Sequence, residues 1–240
     1  MPQKTHTLVK DPSINVRYLA DYMASSEQAR RTLLRGCKYR SGARMIQHIE
    51  AKAAVTNYIK LGANNPDELR EKAQQILNKM TVDDFEESTN LHNANYIKRF
   101  ADVSDLTELN GSEKESAGKP ANFDVNGVSV RFDPILTLTR TTRTNKLKRG
   151  VIMLRYLKGK ALPETTAGFQ SSAALGLLRM QHGDDSKEPD GGMCLTLDCH
   201  SGVFHPAPSK ANYLFKEMQA ACSSIAERWA AIEPPKGAVF

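Results

Sequence analysis

Three groups of residues in this chain have the types and spacing to do chemistry. The first lies in the C-terminal half: Asp133 in Phe132-Asp133-Pro134, then the turn TRTTRTNKLKRG, then Met153-Leu154-Arg155 on an apolar run. Carboxylates that converge on a divalent cation polarise a phosphate and activate water, and a neighbouring cation steadies the developing charge. Glu50, in IQHIEAKAAV, supplies a further carboxylate from a helix-like stretch. The second group is basic. Arg140, Arg143, Lys146, Lys148 and Arg149 sit among threonines and Asn145, a mixture of donors suited to phosphate contacts. Arg30, Arg31, Arg35, Lys38, Arg40 and Arg44 form a second basic block near the N-terminus. The third group is Cys194, Asp198, Cys199, His200 and His205, with His182 upstream, which are zinc-type donors. Strand side chains alternate, so Cys194 and Cys199 point to opposite faces, and Cys194 reads as a small buried hydrophobe.

The elements that position these groups change character along the chain. The first hundred residues read as helical. Ser13 caps a short helix carrying Val16, Leu19 and Met23, and Ser26 caps the next, which Gly36 ends. Together they have the outline of a helix-turn-helix without its sharp signature. Ser41 opens a longer helix closed by Gly62, Asn65-Pro66 starts another, and Thr81 caps a fifth. Residues 102–121 are polar and broken by glycine and proline, as a linker or loop would be. After them come alternating segments (Val128, Val130, Phe132, then Ile135, Leu138) and the run GVIMLRYL. A helix over 165–181, a polar loop at 183–192, strands at MCLTLDC and VFH, and an amphipathic helix over 211–232 complete the chain. The expectation is an α+β protein: a helical region 1–101, a polar linker 102–121, and a small mixed sheet flanked by helices over 122–240.

Strand pair with Asp133, basic turn, buried strand, helix and further strand is an order that resembles the PD-(D/E)XK, or restriction-endonuclease-like, nuclease fold. The resemblance spans residues 40–60 and 123–208. It implies metal-dependent phosphodiester cleavage, with Asp133 as metal ligand, Arg155 in the place of the lysine, and Glu50 as the helix glutamate. The chain departs from the pattern where Met153 takes the place of the second carboxylate, and arginine keeps the lysine's charge but not its chemistry. The resemblance therefore implies a fold retained for grip, with a degenerate centre and no cofactor; magnesium enters only if cleavage persists. Read alone, Asp133-Pro134 is equally a strand-edge kink, where proline is tolerated because it donates no ladder bond.

Composition narrows the function classes. A chain of 240 residues, 40% hydrophobic and 25% charged, is neither disordered nor fibrous. No apolar run approaches a membrane span, and MPQKTHTLVKDP has no secretory h-region. Four cysteines without framework spacing read as free thiols in the cytoplasm. The net charge of +6 conceals blocks of +7 (1–60), −5 (61–120), +7 (121–160) and −3 (161–240). Common nucleotide-binding and hydrolase motifs are missing. No aromatic residue lies in the basic turn, so base stacking is not expected there. The leading expectation is a cytoplasmic protein that binds DNA or RNA, a catalytically degenerate nuclease-like accessory factor of the mobile-element or phage-defence type by analogy. The alternative is a protein-interaction subunit docking an acidic partner, and the third is an active magnesium- or manganese-dependent nuclease.

Overall fold

Alternation in Leu136–Thr141 and the unbroken apolar run after Gly150 place hydrophobic side chains on both faces of a sheet, so both faces must be covered. The computed structural model describes residues 4–181 and 187–240; His182 and the first part of the anticipated 183–192 loop lie outside the described residues. In chain order the elements are β1 (His6–Leu8), β2 (Ser13–Asn15), α1 (Val16–Met23), α2 (Glu27–Lys38), β3 (Tyr39–Ser41), α3 (Ile49–Leu61), α4 (Asp67–Leu77) and α5 (Asp84–Val103). They are followed by β4 (Glu113–Ser116), β5 (Ala121–Val125), β6 (Val128–Phe132), β7 (Leu136–Thr141), β8 (Leu147–Arg155), α6 (Glu164–Gln181), β9 (Glu188–Asp198), β10 (Val203–Pro206) and α7 (Ala211–Trp229). The class is α+β, as expected.

The central sheet has the order β10-β9-β8-β7-β4. Strands β8 and β9 run parallel, joined through α6, and the other neighbours are antiparallel. Val151 and Met153 of β8 face one core, shared with α1, α6, α7 and a small sheet of order β2-β6-β5. Ile152 faces the other, with Leu136, Leu138 and Leu197, beneath α3, α4 and α5. Helix α6 is buried along most of its length, with the polar Thr166, Gln170, Ser171 and Ser172 enclosed beside its apolar residues. It packs so closely on α7 that a Cβ at Gly176 would run into the ring of Phe215. Among the described residues no helix is long and apolar enough to cross a membrane.

Several boundaries differ from the sequence reading, each for a local reason. The side chain of Asn15, not Ser13, caps α1 by accepting from Tyr18 N at 2.7 Å, because Ser13 pairs in β2 with Ser129 of β6. Helix α2 passes through Gly36, an exposed position that costs about 1 kcal/mol, and ends at Lys38. Ser41 belongs to β3, which pairs with β1, so α3 starts only at Ile49. Asp83 rather than Thr81 caps α5. Gly62 closes α3 in the left-handed region at φ 64°, as its position predicts.

The polar segment 102–121, expected as a linker or loop, contains a strand. It contributes β4, which pairs antiparallel with β7 and closes that edge of the sheet. Its charged residues suit an edge strand and hid the pairing. Residues 188–192, expected as loop, are the first half of β9. Within residues 1–101, α1 and α2 pack in one core and α3–α5 in the other.

Candidate functional site

The carboxyl ends of parallel β8 and β9 are the natural place for a site in a sheet of this kind, because the chain must leave both strands there and opens a crevice. In this chain that edge gathers side chains from five separate elements. Tyr156 follows β8, and Cys199 and His200 follow β9. His92, Tyr96 and Arg99 come from α5, at the i, i+4, i+7 spacing that places them on one face. His48 immediately precedes α3, Lys52 lies in its first turn and a half, and Arg17 stands at the start of α1.

The rings form one continuous assembly. Tyr96 and Tyr156 stack with centroids 4.1 Å apart and an interplanar angle of 9°. His48 meets both edge-on, at 5.4 and 5.7 Å, and lies 6.5 Å from His92. His200 flanks Tyr156 at 6.4 Å. Tyr96 is buried and shares a hydrogen bond with the Cys199 thiol beneath it; burial raises the pKa of both, Cys199 to about 12. Tyr156, His48, His92 and His200 are half-buried, and Arg17, Lys52 and Arg99 are exposed around them. The pKa of His48 is lowered, first by burial, then by His92, Lys52 and Arg17. Burial raises that of Tyr156, against the nearby charge of Arg99. No ion pair among the described residues occupies Arg17, Lys52 or Arg99. The crevice thus presents three exposed cations, without ion-pair partners among the described residues, around half-buried rings.

Buried polar groups fix this geometry. Asn93 Oδ1 accepts from Ala51 N at 2.9 Å, while its amide donates to Gln47 O and Thr89 O. A residue of α5 thereby supplies the N-terminal cap that His48 does not, and sets His48 against Tyr96. Asp198, fully buried, accepts from Leu162 N, His200 N and Ser201 Oγ at 2.6–3.0 Å, clamping the turn that carries His200. Arg99 Nε donates to His200 O at 2.7 Å. Gly202 completes the turn at φ 77°, where a Cβ would strike the backbone of Val103.

No hydrogen bond or ion pair joins the expected nuclease residues to one another among the described residues. Asp133 is exposed in the link between β6 and β7, where Pro134 helps turn the chain from one sheet into the other; it makes no hydrogen bond or ion pair among the described residues. Glu50 pairs with Lys79. Arg155 is 3% exposed on the opposite face of β8 from Ile152, held by Asp21, Gln170 and Arg17 O. Met153 is in the core beside α6. Among the described residues no three His, Cys, Asp or Glu side chains are grouped to hold a metal ion. These residues do not fit the magnesium site that the resemblance implies, and no step is drawn through one. Cys194 and Cys199 face different cores, as alternation requires.

The residues of the two basic blocks have differing surroundings. Lys38 is not available to a ligand: its buried Nζ donates to Trp229 O, Ala230 O and Ile232 O at 2.7–3.0 Å, capping α7. Arg44 pairs with Asp83 at 2.5 Å and lies over the Phe85 ring. Arg40 is exposed on β3. Arg30, Arg31 and Arg35 lie together on α2, beside α7. On the β7–β8 hairpin, Arg140 is tied to Ser112 and Asn110 O, Lys148 to Glu188, and Arg149 to Leu178 O. Arg143 and Lys146 remain exposed at its tip. The nine residues of β8 separate that tip from the crevice by roughly 26 Å at about 3.3 Å per residue.

Local sequence carried one signal for the crevice, the spacing of His92, Tyr96 and Arg99. Neither a protein family nor a curated protein matches this chain, so its function has to be inferred from this geometry.

Proposed function

We propose that the protein binds nucleic acid, and that the crevice at the carboxyl ends of β8 and β9 is where it grips the phosphate backbone. The observation that carries this reading is the meeting of Arg17, Lys52 and Arg99, all without ion-pair partners among the described residues, around the Tyr156, His48 and His200 rings. Exposed cations supply sequence-independent attraction to phosphates, and half-open rings offer a surface on which unpaired bases stack. The nuclease-like resemblance rests on an order of elements, and the engagement of Glu50 by Lys79 and of Arg155 by Asp21 favours grip over cleavage. Four free, buried cysteines accord with a cytoplasmic setting. The mobile-element or phage-defence association remains part of the same proposal, by analogy.

The test is fluorescence anisotropy with double-stranded DNA, single-stranded DNA and RNA at two salt concentrations, with and without magnesium. Replacing Arg17 and Lys52 by alanine is expected to weaken binding across sequences and to lower the salt slope by about one per lost phosphate contact. An unchanged slope overturns the reading.

One observation favours a protein partner. Met45, Ile49, Met80 and Val82 are 65–99% exposed. The Arg44–Asp83 and Lys79–Glu50 pairs bring their two segments together near His48. An apolar patch of this kind is a docking feature. If Met80→Ser abolishes co-purification of a partner and nucleic-acid binding is nil, the interaction-subunit reading takes precedence.

A further inference from the structure

Between α2 and the C-terminal end of α7 lies a pocket of about 450 Å³ whose walls carry Arg30, Arg31, Arg35 and Arg228. We propose that it is a binding site for a small molecule bearing a phosphate monoester. Four guanidiniums stand there against two carboxylates, Glu27 and Glu233. That excess of two positive charges matches a phosphate monoester, which carries about −1.5 to −2 at neutral pH. Guanidinium groups also bind phosphate oxygens in pairs, which an ammonium does not.

The arginines are held, yet not saturated. Arg30 donates from Nε to Tyr22 O at 2.8 Å and from Nη2 to Met23 O at 3.1 Å, with its carbon 5.0 Å from the Tyr22 ring centroid. Of a guanidinium's five donors these bonds engage only part. Arg31 Nε and Arg228 Nη1 both reach the same oxygen of Glu27, at 3.4 and 3.3 Å. Charge-assisted bonds normally close to about 2.7–2.9 Å, so both contacts are loose and a ligand phosphate can outcompete them. Arg35 has no ion pair among the described residues.

The walls are preorganised. The three bonds from Lys38 to Trp229 O, Ala230 O and Ile232 O fasten the end of α7 to α2, so the arginines on the two helices keep their spacing. Leu34 and Ile232 add apolar lining for the body of the ligand. The volume falls within the range of about 300–1,000 Å³ usual for small-molecule sites. The pocket lies at the Tyr22 end of α1 and the crevice at its Arg17 end, so the two can be tested separately.

The experiment is titration calorimetry of the full chain with adenosine monophosphate, inorganic phosphate and adenosine. Adenosine monophosphate is expected to bind, inorganic phosphate to compete with it, and adenosine to give no heat. Arg35→Gln and Arg228→Gln should each weaken adenosine monophosphate by about tenfold or more, and Lys72→Ala, exposed on α4, should not. Affinity should also rise from about pH 5 to about pH 7, as the second phosphate proton leaves near pH 6. Equal binding of adenosine, indifference to both variants, or no binding by either phosphorylated probe overturns the proposal. If those variants instead weaken DNA while the mononucleotide stays unbound, the pocket is part of the nucleic-acid surface; this proposal then falls and the crevice reading stands.

Discussion

Arg155 Nη2 lies 2.5 Å from Asp21 Oδ1, joining the last residue of β8 to α1 beneath the crevice. The guanidinium is almost wholly buried, and burial lowers its pKa despite the compensating charge of Asp21. An arginine at the end of this strand therefore holds α1, and with it Arg17, against the sheet. Removing Asp21 leaves that cation without its carboxylate, with Gln170 Oε1 and Arg17 O as remaining acceptors. Asp21→Ala is expected to lose about 3 kcal/mol in urea unfolding, the usual result of breaking one side of a buried pair. Recovery of part of that loss in the double variant Asp21→Ala, Arg155→Met would identify the unpaired charge as its source. A loss under about 0.5 kcal/mol, the range of ordinary surface changes, contradicts this account.

Lys38 gives a second expectation. If its role is to cap α7 through three carbonyls, Lys38→Met should cost about 2 kcal/mol while leaving nucleic-acid affinity unchanged at matched folded concentration. Thermal melting and anisotropy on the same sample separate the two effects. A loss of affinity with full stability would return Lys38 to the binding surface.

Asn93 links α5 to the start of α3, so its removal should be felt at His48. Asn93→Ala leaves Ala51 N and Gln47 O without their partner and is expected to lower stability by about 1–3 kcal/mol. Hydrogen exchange should quicken at the first turn of α3 and not in α7. Uniform quickening across the chain argues against a local cap.

The pH dependence follows from His48, whose pKa lies below its ordinary 6.5 in the folded chain. The unfolded chain takes up this proton first as pH falls. Stability is thus unaffected by His48 above its ordinary value and declines as pH drops through 6.5 toward the folded pKa. His48→Gln should flatten the fall in melting temperature between about pH 7 and pH 5. Identical slopes in both proteins would show that His48 does not titrate in this way.

Much of the architecture was legible from local pattern. Alternation at 128–138, the apolar run after Gly150, and helical spacing in 164–181 and 211–229 are short-range consequences of which faces must be buried, and they specified α+β. The glycine at 62 closed its helix because few other residues accept its φ of 64°. Segments whose structure depends on a distant partner were not legible: β4 pairs with β7 between Ser116 and Leu136 and between Glu113 and Thr139, and β3 pairs with β1. The same reason governs the site. Charge and residue type identified arginines and carboxylates, but a side chain's availability depends on what lies opposite it in space. Arg155 met Asp21, Lys38 met the end of α7, and Glu50 met Lys79, while Arg17, Lys52 and Arg99, unremarkable in sequence, have no ion-pair partner among the described residues and surround a stack of rings drawn from separate elements. Local pattern was enough for β6–β9, α6 and α7, whose buried faces depend on neighbours a few residues apart. Which charges neutralise one another and which face solvent together follows from the folded arrangement, because Coulomb and hydrogen-bond partners are chosen by proximity in space.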